Sequence, residues 1–133
     1  MIESKLLICP TYIIFKYKNK KDKKVSINLN TYRNQHFLVE SKCKKEFKEL
    51  MRNQLEGIEF KTPVEITYKV YKASKRQLDK MNVISIASKY LMDAITEFGC
   101  WLDDNDDIIK KETILPTEID KSNPRVEVLI KSI

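Results

Sequence analysis

The segment from Asn82 to Phe98 constrains the fold more than any other part of this chain. On a wheel of 100° per residue, Val83, Ala87, Tyr90, Leu91, Ala94, Ile95 and Phe98 fill one arc. Asn82, Ser85, Lys89 and Asp93 fall on the opposite arc. An apolar stripe of that width has to be buried against a partner, so the spacing predicts a helix laid on a core. Gly99 follows the last apolar position and stops the helix. The segment before it supplies a partner. After Pro63 the run VEITYKVY alternates from Val64 to Tyr71, which is the period of a half-buried strand.

A second helical spacing runs from Val39 to Leu55. Its apolar residues are Val39, Cys43, Phe47, Leu50, Met51 and Leu55, and Gly57 is its stop. Lys5–Ile8 and Tyr12–Phe15, split by Pro10, read as edge strand pieces. The basic run Lys16 to Lys24 (KYKNKKDKK) reads as a solvated hairpin tip, with Val25–Leu29 as the return strand. Asn30–Phe37 is polar and aromatic and reads as a loop. Ile108–Leu115 and Arg125–Ile130 read as closing strands, separated by a loop that holds Pro116 and Pro124. Nothing resembles a repeat or a linker. The expectation is one α+β domain over residues 1–133, a small mixed or antiparallel sheet packed against two main helices.

Composition narrows the classes of function. No apolar run approaches the ~18 residues of a membrane span. Met1 to Pro10 is too short and too charged for a secretory signal. Cys9, Cys43 and Cys100 are scattered, so they are neither a disulfide framework nor a paired zinc site. Together these features point to the cytoplasm. A single histidine excludes His-rich metal chemistry, and two glycines leave no room for a Gly-rich phosphate loop. The net charge of +6 suits an anionic partner, nucleic acid above all, and equally a Lys-rich surface that serves solubility.

One stretch concentrates groups that can do chemistry. Asp79 stands just before the helix, and Lys89 and Asp93 project from its polar face one turn apart. The following loop supplies Asp103, Asp104, Asp106 and Asp107. Clustered carboxylates bind hard cations such as Mg²⁺. Such an ion activates water and stabilises the leaving oxygen of a phosphodiester. Each piece also has a plainer role. Asp79 suits a helix N-cap, Lys89 and Asp93 suit an i,i+4 surface pair, and the acidic loop suits a solvated turn. It is no EF-hand, because the required glycine and distal glutamate are missing. The combination says more than the pieces. An acidic cluster in a basic protein repels DNA unless a cation neutralises it.

The string Leu78-Asp79-Lys80-Met81-Asn82, then Lys89, Asp93-Ala94-Ile95, Gly99, Trp101 and Asp103-Asp104 resembles the RusA family of Holliday junction resolvases. That family carries a D-x-D-N element, a Lys, then D-A-L, a Gly and a terminal D-D. The resemblance is dense over about thirty residues and weaker elsewhere. It implies catalytic roles for Asp79, Lys89 and Asp104, and metal-ligand roles for Asp79, Asp93, Asp103 and Asp104. Asn82 matches the Asn of D-x-D-N and falls among the DNA contacts. By resemblance the protein is a Mg²⁺-dependent homodimer, with Mn²⁺ as a substitute, that nicks four-way junctions or other branched DNA in pairs. A phage-encoded protein acting in a host cytoplasm would fit that activity.

Two departures bear on this expectation. Met81 stands where the second Asp of D-x-D-N belongs, and a thioether is a poor Mg²⁺ ligand. Asp93 or Asp107 would then supply the missing carboxylate, or the protein binds branched DNA without cutting it. Asn82 also lies seven residues before Lys89, where the family's best-known pattern has three. The four extra residues are about one helical turn and keep the helix phase. Upstream, Asn30, Arg33, Asn34 and His36 loosely resemble the family's Asn/Arg-rich loop. Arg33 and Asn34 are therefore candidate DNA contacts, and Lys75 and Arg76 beside Asp79 are stronger ones. His36 suits a structural role better than that of a general base. Tyr32, Phe37 and Trp101 are candidates to stack on an unpaired base, though core packing suits Trp101.

Overall fold

The computed structural model describes all 133 residues. In chain order the elements are β1 (Ser4–Cys9), β2 (Tyr12–Phe15), β3 (Lys23–Ser26), α1 (Leu29–Asn34), α2 (Phe37–Leu55), β4 (Val64–Lys72), α3 (Lys80–Glu97), β5 (Ile109–Ile114), β6 (Glu118–Ile119) and β7 (Arg125–Ser132). The main sheet is mixed, with the order β1-β7-β4-β5, and β6 pairs with the far end of β4. β7 runs antiparallel to both β1 and β4, whereas β4 and β5 are parallel. A parallel pair needs a crossover, and α3 supplies it. β2 and β3 form a separate antiparallel ribbon. The chain is α+β, a mixed sheet with two long helices, as the patterning predicts.

Alternation sets the faces of the sheet. Val64, Ile66, Tyr68 and Val70 of β4 and Val126, Val128 and Ile130 of β7 point into one core cluster of 28 residues. α3 lies over that face, with α1 and α2 packed against it, and Gln54 of α2 also bonds the Ile8 backbone of β1 at 2.8 and 2.9 Å. Contacts with the sheet and with two helices give α3 a burial wider than a single stripe. Ile84, Ile86 and Met92 are buried along with the predicted arc, while Phe98 is only half-buried. α2 buries Cys43, Phe47, Met51 and Leu55 at helical spacing, but Leu50 of the predicted set is 49% exposed. Gly57 and Gly99 each follow a helix cap with φ of 79° and 75°, the left-handed conformation that ends a helix. No helix is long and apolar enough to cross a membrane.

Three local expectations are corrected. Asn30–Phe37 is not a loop. Asn28 caps α1 by accepting from the Thr31 N–H at 2.8 Å, and His36 caps α2 by accepting from Leu38 at 3.2 Å. Two caps eight residues apart turn a polar stretch into a short helix and the start of a long one. The return strand is Lys23–Ser26, and Leu29 belongs to α1. The main helix starts two residues before Asn82, at Lys80, because Asp79 caps it.

Candidate functional site

α3 fixes where the predicted residues stand. Asp79 is its N-cap, and its carboxylate accepts from the Met81 N–H at 3.0 Å. Asp93 lies near the other end. At 1.5 Å per residue the two are about 21 Å apart along the axis. Two ligands of one Mg²⁺ lie within about 4 Å of each other, twice its ~2.1 Å bond length. Asp79 and Asp93 of one chain therefore cannot hold the same ion. The crossover has the same consequence for the acidic loop. α3 runs back from the end of β4 to the start of its parallel neighbour β5, so Asp79 and the loop lie at opposite ends of the sheet.

The loop is tied down at both ends. Cys100 is buried, and its carbonyl accepts from Phe60 at 2.8 Å. Trp101 is 5% exposed, packs at a tilt against Phe60 with ring centroids 5.9 Å apart and donates its indole N–H to Thr96 Oγ1 at 2.8 Å. It is a core anchor and is not free to stack on a base. At the exit, Ile108 accepts from the Val64 N–H at 2.7 Å. Between these anchors, Asp103 Oδ1 accepts from the Asp104 N–H at 2.8 Å and Asn105 Oδ1 accepts from Asp107 at 2.9 Å. Asp103, Asp104, Asp106 and Asp107 are all exposed.

Asp93, Asp103 and Asp104 do influence one another. The Asp104 carboxyl is held above the usual carboxylate range, first by partial desolvation, then by Asp103, with a smaller contribution from Asp93. The expected Lys89–Asp93 pair does not form. Asp93 Oδ2 meets Lys44 Nζ of α2 at 2.9 Å instead, which raises the Lys44 pKa through that hydrogen bond. Lys89 is exposed one turn away and forms no ion pair. As they stand, no three His, Cys, Asp or Glu side chains form a group able to hold a metal ion.

The other candidates scatter along the surface. Arg33 and Asn34 are exposed on α1, with Asn34 donating to the Asn30 carbonyl at 2.8 Å. Lys75 and Arg76 are exposed on the loop before α3, which Lys72 Nζ braces by donating to the Arg76 carbonyl at 3.1 Å. Asn82 is half-buried, and Met81 is 49% exposed beside it. Tyr32 packs against the core, while Phe37 is 66% exposed. His36 serves as a cap. Sequence reading missed Lys44, because its partner is 49 residues away and no local spacing marks the pair. Neither a family model nor a curated protein matches the chain.

Proposed function

We propose that the protein is a RusA-like, Mg²⁺-dependent endodeoxyribonuclease that nicks four-way junctions or other branched DNA, acting as a homodimer in the cytoplasm. The observation that carries this reading is the grouping of Asp93, Asp103 and Asp104 at the end of α3, where partial desolvation first, and Asp103 and Asp93 after it, raise the Asp104 pKa. A divalent cation would stabilise these carboxylates in their charged form and offset negative charge that would repel DNA. Asp103 and Asp104 are then ligands, Mn²⁺ can replace Mg²⁺, and Asp93 joins by exchanging Lys44 for the ion. Lys89, on the Asp93 face, meets the phosphate as charge develops. Arg33, Asn34, Lys75, Arg76 and Asn82 are backbone contacts. Asp79 lies too far along α3 to join its own chain's ion, so any catalytic role for it comes from a second copy.

Incubating a synthetic four-way junction with Mg²⁺ or Mn²⁺ tests this reading. Paired nicks that vanish in Asp104→Asn are expected. Asp79→Ala and Asp104→Asn protomers, mixed, should regain part of the activity if Asp79 acts across a dimer. Absence of nicking by the wild-type protein with either metal sinks the nuclease reading. One observation favours a second reading, a branched-DNA-binding protein that does not cut. Lys44 already neutralises Asp93, and Met81 brings no oxygen to the helix start. Junction binding without nicks decides for it.

A further inference from the structure

Two hollows adjoin on the sheet end where Asp79 stands. The first, of about 250 Å³, lies between the β2–β3 ribbon and the end of β4; Tyr12, Lys24, Tyr71, Lys72 and Leu78 are among its walls. The second, of about 360 Å³, is bounded by Pro10, Leu50 and Arg125. Thr11, Tyr12 and Pro124 line both, so Tyr12 stands on the divide. Each hollow is at or near the lower end of the ~300–1,000 Å³ usual for small-molecule sites. That size suits one ring system whose charged part stays at the mouth.

The charge of this surface is strongly positive, with Asp22 the one carboxylate in the Lys16–Lys24 run. No carboxylate lines either hollow. Lys24 lies 4.3 Å over the Tyr12 ring, Lys72 donates only to a carbonyl, and neither forms an ion pair. The ribbon's tip extends the positive field with Lys16, Lys18, Lys20, Lys21 and Lys23, all exposed. Arg125 is different, since Asp120 and Glu127 bind it at 2.8 and 2.9 Å. It contributes rigidity instead, by holding the Tyr71 ring at 3.8 Å. Tyr12 is 38% exposed, so part of its ring remains open to solvent between the two hollows, and Lys24 leaves the other face of the ring when it takes a phosphate.

We infer that this double cleft binds single-stranded nucleic acid, with two successive bases seated on either side of Tyr12 and their phosphates on Lys24 and Lys72. Aromatic side chains set in a basic groove are what unpaired strands require, because every base has a face to stack while lysines neutralise phosphates without reading sequence. A lone nucleotide would use one hollow and leave the second hollow and the basic ribbon unused. The inference rests on reading the chain as a nucleic-acid protein, but it does not depend on the chemistry at Asp104.

Fluorescence anisotropy with a labelled 12-nucleotide oligothymidine, in EDTA, tests it against an abasic strand of equal length and charge. Stacking contributes roughly 5- to 150-fold per base, so the wild-type protein should prefer oligothymidine by about tenfold or more. Tyr12→Ala should lose at least about fivefold on oligothymidine and nothing on the abasic strand, while Tyr12→Phe keeps the preference. Lys24→Ala with Lys72→Ala should weaken both strands and flatten the salt slope by about 1.4. Equal affinity of the wild-type protein for the two strands overturns the proposal, even if Tyr12→Ala fails to fold. Equal loss on both strands in Tyr12→Ala overturns it too. Thymidine monophosphate competing as well as the oligonucleotide does the same. Junction nicking without base preference refutes the cleft alone, and base preference without nicking refutes the nuclease alone.

Discussion

Replacing Lys44 with Met removes the ammonium that sits 2.9 Å from Asp93 and keeps most of its aliphatic stem. The two side chains are 41% and 32% exposed, so solvent screens their attraction strongly. Pairs of this kind contribute about 0.2–1 kcal/mol. For a domain of this size that corresponds to a Tm lowered by about 1–4 °C. The consequence for a metal has the opposite sign. If Asp93 is a ligand, the ammonium competes with the ion, and removing it frees one unit of negative charge. The interaction of two unit charges at ~4 Å in water is about 1 kcal/mol, so Mg²⁺ affinity should rise about fivefold. Thermal melts of Lys44→Met, Asp93→Asn and the double variant give the coupling energy, and calorimetric titration with Mg²⁺ gives the affinity. A coupling near zero would show that the pair does not form in solution. Mg²⁺ affinity unchanged in both Lys44→Met and Asp93→Asn would exclude Asp93 as a ligand.

Other substitutions follow from the same geometry. Asp79→Ala should destabilise the fold by about 1 kcal/mol through loss of the α3 cap, while leaving the Mg²⁺ affinity of the isolated chain at its wild-type value in calorimetry. Gly99→Ala places a Cβ in open space but at φ of 75°, so backbone strain alone should cost about 1 kcal/mol in urea melts. Trp101→Ala should cost about 3–5 kcal/mol, because it empties the anchor between Phe60 and Thr96 and loosens the acidic loop. The Asp120 pKa is lowered, chiefly by its hydrogen bond from Arg125, so the stability it contributes is present above its unfolded pKa and is lost as pH falls through the lower folded value. Arg125→Met should therefore flatten the acid limb of a Tm-against-pH curve; an unchanged limb would remove Asp120 from the account.

Much of the scaffold was legible because its signals are local. The alternation of Val64–Tyr71, the helical spacing of Val39–Leu55 and the stops at Gly57 and Gly99 depend only on the chain's own period and on the dihedral freedom of glycine. The polar stretch from Asn30 misled because caps, and not hydrophobic period, make α1 helical. A short helix with no buried residue leaves no periodic trace. At the candidate site, the carboxylates were legible as residue types, whereas their grouping was not. Asp79 and Asp93 look close in a motif because both flank one helix, yet helical rise separates them by about 21 Å.

The sequence by itself determined the α+β class, the two main helices, the basic surface and the chemistry available to each residue. Those properties follow from periodicity and from side-chain pKa values, which need no knowledge of distant segments. Only the tertiary structure decided that Lys44, and not Lys89, pairs with Asp93, and that Asp79 and the acidic loop face opposite ends of the sheet. It also placed Tyr12 and Tyr71 around one cleft. Each of these depends on the α3 crossover between parallel strands and on the docking of α2 and the ribbon. Side chains far apart in sequence come within a few ångströms only when the core between them closes.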